Sequence, residues 1–147
     1  MLEIKVKTFQ ELTTQELYDI LQLRSEVFVV EQDCVYQDID GKDQKSLHVM
    51  GYQNETLVAY TRVFKPGDYF KEASIGRVVV KASERQHQYG YAIMKASIEA
   101  IQHHFKSGII KISAQTYLKR FYNNLEFFEV GGEYLEDGIP HIGMLKT

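Results

Sequence analysis

Residues 83–98 read SERQHQYGYAIMKASI, and two different roles fit them. Backbone N–H groups that a tight loop turns toward one point at the start of a helix form a cradle for phosphate, helped by the positive end of the helix dipole. Such loops often carry two or three glycines, whereas this one has only Gly90, so the other reading is an ordinary turn before a helix. The single cysteine, Cys34, lacks the Cys, His and Asn/Asp arrangement that a catalytic thiol requires, and no acyl-accepting nucleophile is read there. His103 and His104 are adjacent rather than four apart, do not share a helix face, and imply no metal. The acidic run with Asp38, Asp40 and Asp43 could steer a cationic ligand or could be solvated surface.

The elements that position these residues follow from periodicity. Leu2, Ile4 and Val6 alternate with Glu3, Lys5 and Lys7, the pattern of a half-buried strand. Thr13 and Glu16 form a capping box, and Leu17, Ile20, Leu21, Val27 and Phe28 then recur at helical spacing, which predicts a helix ending near Phe28. Residues 30–46 are acidic, contain Gly41 and lack a period, so they read as a long ordered loop of the kind that is often functional. Strands at 47–53 and 56–64 flank Asn54 and Glu55 in a hairpin. After a break at Pro66, Gly67 and Asp68, residues 75–80 are β-branched and almost continuously apolar, as in a central strand buried on both faces.

Met94, Ile98, Ile101 and Phe105, widened by Ile93 and Ala100, make the apolar stripe of a helix that begins near Gly90. Gly108 ends it, a strand follows at 109–114, and Leu118, Phe121, Tyr122 and Leu125 define a short amphipathic helix. Residues 127–130 could form a strand before a turn at Gly131 and Gly132, and after a last turn at Gly138 and Pro140 a strand at 141–145 closes the chain. The strand, helix, strand unit that begins at residue 75 has the form of a right-handed parallel crossover, while the hairpin is antiparallel. A single α/β or α+β domain with a mixed sheet, spanning 1–147, is therefore expected.

Composition bounds the function classes. With 147 residues, 44% hydrophobic and 25% charged, and with 10 Tyr and 8 Phe as bulky core material, the chain has the makeup of one ordinary globular domain. A net charge of -3 offers no cationic stripe, so nucleic acid is not an expected partner. No run approaches the roughly 18 apolar residues of a membrane span, the N-terminus has no secretory h-region, and a lone cysteine suits a reducing compartment. A cytoplasmic protein with no membrane partner is expected.

The order of elements, together with residues 83–98, resembles the GNAT N-acetyltransferase superfamily over essentially the whole chain, and within it the ElaA-like group. The resembling blocks are LQLRSEVFVVEQDCVYQDIDG at 21–41, LHVMGY at 47–52, IGRVVV at 75–80, FYNNLEFF at 121–128 and EDGIPHIGM at 136–144. The resemblance implies the GNAT acyl-CoA N-acyltransferase fold, a mostly antiparallel mixed sheet with a parallel central pair and helices on both faces. The phosphate motif of that family, Arg/Gln-x-x-Gly-x-Gly/Ala, is degenerate here, with Gln86 where a further glycine is common and Gln88 at the first motif glycine. Glutamine presents the same backbone N–H while its φ stays negative, and Gly90 keeps the freedom for a tight or left-handed turn.

By resemblance, acetyl-CoA pairs through its pantetheine with the backbone of Val78, Val79 and Val80. Its phosphates lie at Arg85, Gln86, His87, Gln88, Tyr89, Gly90 and Tyr91, with Gln115 where many relatives carry a CoA-contacting Asn. The expected reaction is acetyl transfer to an amine acceptor, a small molecule or a protein amine, with Tyr122 at the family position of the general acid. His48, Glu31, Asp40 and His141 are candidates for the base that deprotonates the amine. A homodimer through edge strands is compatible with the fold. A non-catalytic acyl-CoA sensor and an interaction module that binds no acyl-CoA are the rival readings.

Overall fold

The computed structural model describes residues 2–147. Its strands are β1 (Glu3–Thr8), β2 (Leu47–Gln53), β3 (Thr56–Phe64), β4 (Ala73–Val80), β5 (Ile110–Gln115), β6 (Phe128–Glu136) and β7 (Ile139–Lys146). They form one 7-stranded sheet in the order β1-β2-β3-β4-β5-β7-β6, with β4 in the middle as its β-branched run predicts. The helices are α1 (Thr14–Arg24), α2 (Tyr89–Phe105) and α3 (Lys119–Asn123). All strand pairs are antiparallel except β4 with β5, the crossover pair joined through α2.

That parallel pair governs the architecture. Its register is confined to Ala73 with Ile110 and Ser74 with Lys111. Beyond Ser74 the two strands part. The register of β3 against β4 shifts between Tyr60 and Arg62, and opposite the shift Arg77 holds a left-handed φ of 49°. A bulge of this kind bends its strand and strengthens the local twist, which turns β4 away from β5 and leaves a V-shaped gap in the sheet. For this reason β4 is not buried on both faces throughout: Gly76, Arg77, Val78 and Val80 are only half-buried.

Each face of the sheet carries its own core. On one, Ile93, Met94 and Ile101 of α2 pack with Val63, Ile75, Ile110, Ile112 and Met144. On the other, Ile20 and Leu23 of α1 pack with Met50, Tyr52, Tyr60 and Val79. The box at the start of α1 is closed both ways, with Glu16 N–H donating to Thr13 Oγ1 at 3.0 Å and Thr13 N–H to Glu16 Oε1 at 2.8 Å. Among the described residues no helix is long and apolar enough to cross a membrane.

Two of the expected element boundaries change. The first helix does not end near Phe28 but continues as a π-helix, Ser25–Glu31. The wider turn keeps Val27 in the core while Phe28 and Glu31 reach the wall of a cavity, a break of period that 3.6-residue counting cannot register. Gly131 and Gly132 are not a turn: β6 runs through them, with Gly131 at φ 74° where the register against β7 shifts. The reversal falls at the turn expected at Gly138, with Asp137 and Gly138 at φ of 52° and 78°.

The acidic run is neither a steering patch nor solvated surface. Asp43 Oδ1 accepts from Nη1 of both Arg24 (2.7 Å) and Arg62 (3.0 Å). Asp38 accepts from Nε of Arg24 (2.9 Å) and Arg77 (2.7 Å), and Asp40 is gripped by both terminal nitrogens of Arg62. Arg24, Arg62, Asp38 and Asp43 are buried. This network ties the loop between α1 and β2 to the α1 face of the sheet, and thereby fixes the loop residues Cys34 and Tyr36 that line the same cavity.

Candidate active site

A cavity of about 600 Å³ follows the gap between β4 and β5. One half is bounded by Val78, Val79 and Val80, by Arg85, Gln88, Gly90 and Tyr91 at the start of α2, and by Phe121 and Tyr122 of α3. The gap leaves the backbone of this part of β4 without β5 as a partner, since the ladder stops at Ser74.

The loop before α2 forms by a different backbone route from the one its residue types suggest. Gln88, not Gly90, is left-handed, with φ 60° and ψ 29°. Gly90 lies in the first turn of α2, where a Cβ would stand 3.2 Å from Phe121 Cζ, so a side chain there would press on the Phe121 ring, and no positive φ asks for glycine. No side chain caps α2, so its first-turn N–H groups are left for a ligand. The side chains of Gln86 and His87 are exposed, and Tyr89 is buried in the α2 core. Unlike Arg85, Gln88, Gly90 and Tyr91, those three residues do not line the cavity. Arg85 donates to Val80 O at 3.2 Å and to both oxygens of Glu31, one at 2.8 Å.

That pairing decides the role of Glu31. The Arg85 hydrogen bonds hold its carboxyl below the ordinary glutamate range, so it is a weak base already bound to a cation. Asp40 is likewise held far below the carboxylate range, the Arg62 hydrogen bonds outweighing its partial burial. His48 is fully buried away from the cavity wall. Its Nδ1 meets Tyr60 Oη at 2.6 Å and its Nε2 meets Asp43 O at 3.0 Å, and burial lowers its pKa. Both ring nitrogens are spent on the fold, which removes it as a base for a bound amine.

His141 stands differently. It lines the cavity opposite Gln115 in the β5–β7 ladder. Its Nδ1 lies 2.7 Å from Ile139 O, and because a carbonyl only accepts, Nδ1 carries the proton and the neutral ring keeps a lone pair on Nε2. Glu136 Oε2 is 3.7 Å from that Nε2, and Tyr134 stacks on the imidazole at 6.1 Å. Glu136 is itself steadied by Ser113 Oγ at 3.2 Å.

Tyr122 is buried, edge-on to Phe121 at 5.0 Å and to Phe127 at 6.2 Å. Among the described residues its hydroxyl has no hydrogen-bond partner, and desolvation pushes the phenol well above its ordinary pKa. A protonated donor with nothing to donate to therefore faces the gap. Cys34 lies on the cavity wall with Sγ 3.4 Å from Asp137 O. Among the described residues no group of three or more His, Cys, Asp or Glu side chains is arranged to hold a metal.

Sequence reasoning did not single out Glu136, Ser113, Arg77, Tyr36, Phe64, Tyr69 or Phe70, all on the cavity wall. Glu136 had a usable signal: the Asp137-Gly138 pair between alternating segments marks a tight hairpin, which places Glu136 opposite Ile139 and near His141.

Comparison with known proteins follows this geometry. The model of the GNAT acetyltransferase domain matches residues 8–147. Protein ElaA of Escherichia coli (strain K12) is 42% identical over 148 residues, covering 99% of this chain and 97% of that protein. The crystal structure of Escherichia coli ElaA superimposes with a TM-score of 0.93 over 100% of both chains. That of an acyl-CoA N-acyltransferase from Pseudomonas aeruginosa, 38% identical, also gives 0.93 over 100% of both chains.

Proposed function

This chain belongs to the GNAT acetyltransferase family, and from that premise we propose that it transfers an acetyl group from acetyl-CoA to a primary amine by direct attack in a ternary complex. The observation that carries the reading is the continuity of one cavity. It joins the uncapped start of α2 and the stretch of β4 that has no β5 partner to Tyr122 on one side and to His141 on the other. Phosphates fit the first-turn N–H groups and Arg85, and a pantetheine fits the strand gap as a substitute for the missing ladder partner.

The thioester supplies an activated acetyl group; as the neutral amine nitrogen attacks its carbonyl carbon, the N–C bond forms and the C–S bond breaks. A lysine-like amine is mostly protonated at pH 7, and reaching its neutral form costs about 4–5 kcal/mol. His141 Nε2 takes that proton, and Glu136 stabilises the resulting imidazolium. Tyr122 gives its hydroxyl proton to the departing sulfur. With ordinary pKa values of about 10 and 8.5, that transfer is uphill by about 2 kcal/mol. Burial raises the phenol, and the same apolar wall raises the thiol, so the difference between them is largely kept. The second nitrogen proton, lost as the amide forms, passes to the Tyr122 oxygen and restores the phenol, and His141 returns its proton to solvent.

Acetyl-CoA binding by calorimetry, with free thiol followed as amines are added, tests this reading. Binding together with amine-dependent thiol release is expected. Binding with no release from any amine would replace the transferase by an acyl-CoA sensor, and no binding would remove the cofactor reading of residues 85–91.

A further inference from the structure

The reaction leaves part of the cavity unexplained. At the closed end of the gap, Phe64, Ser74 and Lys111 stand side by side across β3, β4 and β5, and Arg62 lies two residues before Phe64 on the same face of β3. Ser74 is 2% exposed and its Oγ has no hydrogen-bond partner; Arg62 is 1% exposed, and its Nε–H is likewise unpaired although its terminal nitrogens are taken. Both residues line the cavity. Lys111 makes no salt bridge among the described residues; it lines the adjoining cleft, where its Nζ rests 5.0 Å over the ring of Phe70, a residue that lines both that cleft and the cavity.

Buried polar groups are ordinarily satisfied, and each one left unpaired costs stability. Two buried unpaired donors on one face of the sheet, with a lysine on the neighbouring strand in register with one of them, are the chemistry of an anion subsite. Asp68 and Glu136 also line the adjoining cleft that holds Lys111 and Lys42, but neither approaches a lysine within salt-bridge distance among the described residues.

We propose that the acceptor is an amine bearing a remote carboxylate, an ω-amino acid or a short peptide, whose carboxylate is taken by Lys111, Ser74 Oγ and Arg62 Nε while its amine lies at His141. The spacing sets the class. Lys111 and Gln115, the residue paired with His141, are four residues apart on one strand, about 13 Å. That span favours an acceptor with several atoms between its amine and its carboxylate over an α-amino acid. The aromatic rings of Phe64, Tyr69 and Phe70, stacked or edge-on at 5.1 and 4.8 Å, wall the route between them.

This inference rests on the transferase reading, and its test separates the two. Thiol release is compared for 6-aminohexanoate against 6-aminohexanamide and for Gly-Gly against Gly-Gly-amide, in wild type, Lys111→Met and Ser74→Ala. In parallel, calorimetry compares 6-acetamidohexanoate with 6-acetamidohexanamide, which needs no turnover. The free carboxylates should be favoured at least tenfold in kcat/KM and in affinity, and the advantage should collapse in both variants, with Ser74→Ala at least as stable as wild type. Peptide and ω-amino acid arms that differ identify which source fits. Equal use and equal binding of acid and amide, or an advantage that survives in both variants, would overturn the proposal. Carboxylate-dependent binding without thiol release would instead overturn the transferase and leave the anion subsite standing.

Discussion

Asp43→Asn removes the one carboxylate that two buried guanidiniums share. Asp43 is 5% exposed and its Oδ1 accepts from Arg24 at 2.7 Å and Arg62 at 3.0 Å, while Arg24 and Arg62 are themselves 0% and 1% exposed. An amide oxygen could still accept both hydrogen bonds but carries no charge, so Arg24, Arg62 and Arg77 would face only the carboxylates of Asp38 and Asp40. Breaking a buried pair by removing one partner costs about 3–5 kcal/mol, because a desolvated charge is left uncompensated. That is a large part of the 5–15 kcal/mol of a typical domain. At about 2–4 °C per kcal/mol for a chain of this size, Tm should fall by roughly 6–20 °C. Urea unfolding at pH 7 with the midpoint and slope fitted separately is the assay, and the midpoint should drop with the slope unchanged. The loss should shrink in acid. Asp40 and Asp43 have folded-state pKa values below their unfolded ones, because their arginine bonds outweigh desolvation. Their stabilisation is full above about pH 4 and disappears as pH falls through the lowered values, so wild type approaches the variant there. A change below about 1 kcal/mol at pH 7 would refute the network as the clamp of the loop between α1 and β2.

Gln88→Gly should raise stability by about 0.5 kcal/mol, since relief of a left-handed non-glycine residue is partly offset by the greater freedom of the unfolded chain; Kd for acetyl-CoA should hold, and a loss of affinity would mean that the Gln88 side chain binds. Glu31→Gln releases Arg85 for phosphate, and because exposed pairs are worth at most about 1 kcal/mol, calorimetry should show acetyl-CoA binding about two- to fivefold tighter; weaker binding would contradict the competition between Glu31 and phosphate. His141→Ala should lower kcat/KM about 10²–10⁴-fold near neutral pH, with the deficit narrowing as pH rises toward the amine pKa and the acceptor deprotonates itself. A deficit independent of pH would place His141 in binding rather than in proton transfer.

Much of the fold was legible because the relevant signals are local. The Thr13 and Glu16 box, the turn at Asn54 and Glu55 between the hairpin strands and the β-branched run of residues 75–80 each report a short-range preference that the tertiary structure keeps. The misreadings arose where tertiary contacts overrode local preference. The π-helix continues α1 because Val27 must face the core while Glu31 meets Arg85. The strand through Gly131 and Gly132 survives because the ladder to β7 absorbs a register shift. Gly90 suggested a free backbone, yet the constraint is a Phe121 ring 31 residues later in the chain. Site residues were legible as types but not as partners: His48 and His141 both fall on strands, and only their hydrogen bonds separate a core histidine from one with a free Nε2 facing the cavity. The three aspartates looked like surface because Arg24, Arg62 and Arg77, which bury them, come from three separate elements.

The central claim, acyl transfer with Tyr122 as the proton donor to sulfur, is tested most directly by measuring acetyl-CoA affinity and amine-dependent thiol release in Tyr122→Phe. The hydroxyl has no structural hydrogen bond to lose among the described residues, so the fold and Kd should stay within about twofold of wild type while thiol release falls about 10²–10⁴-fold. Release at the wild-type rate, or a loss of rate that merely follows lost binding, would contradict the account.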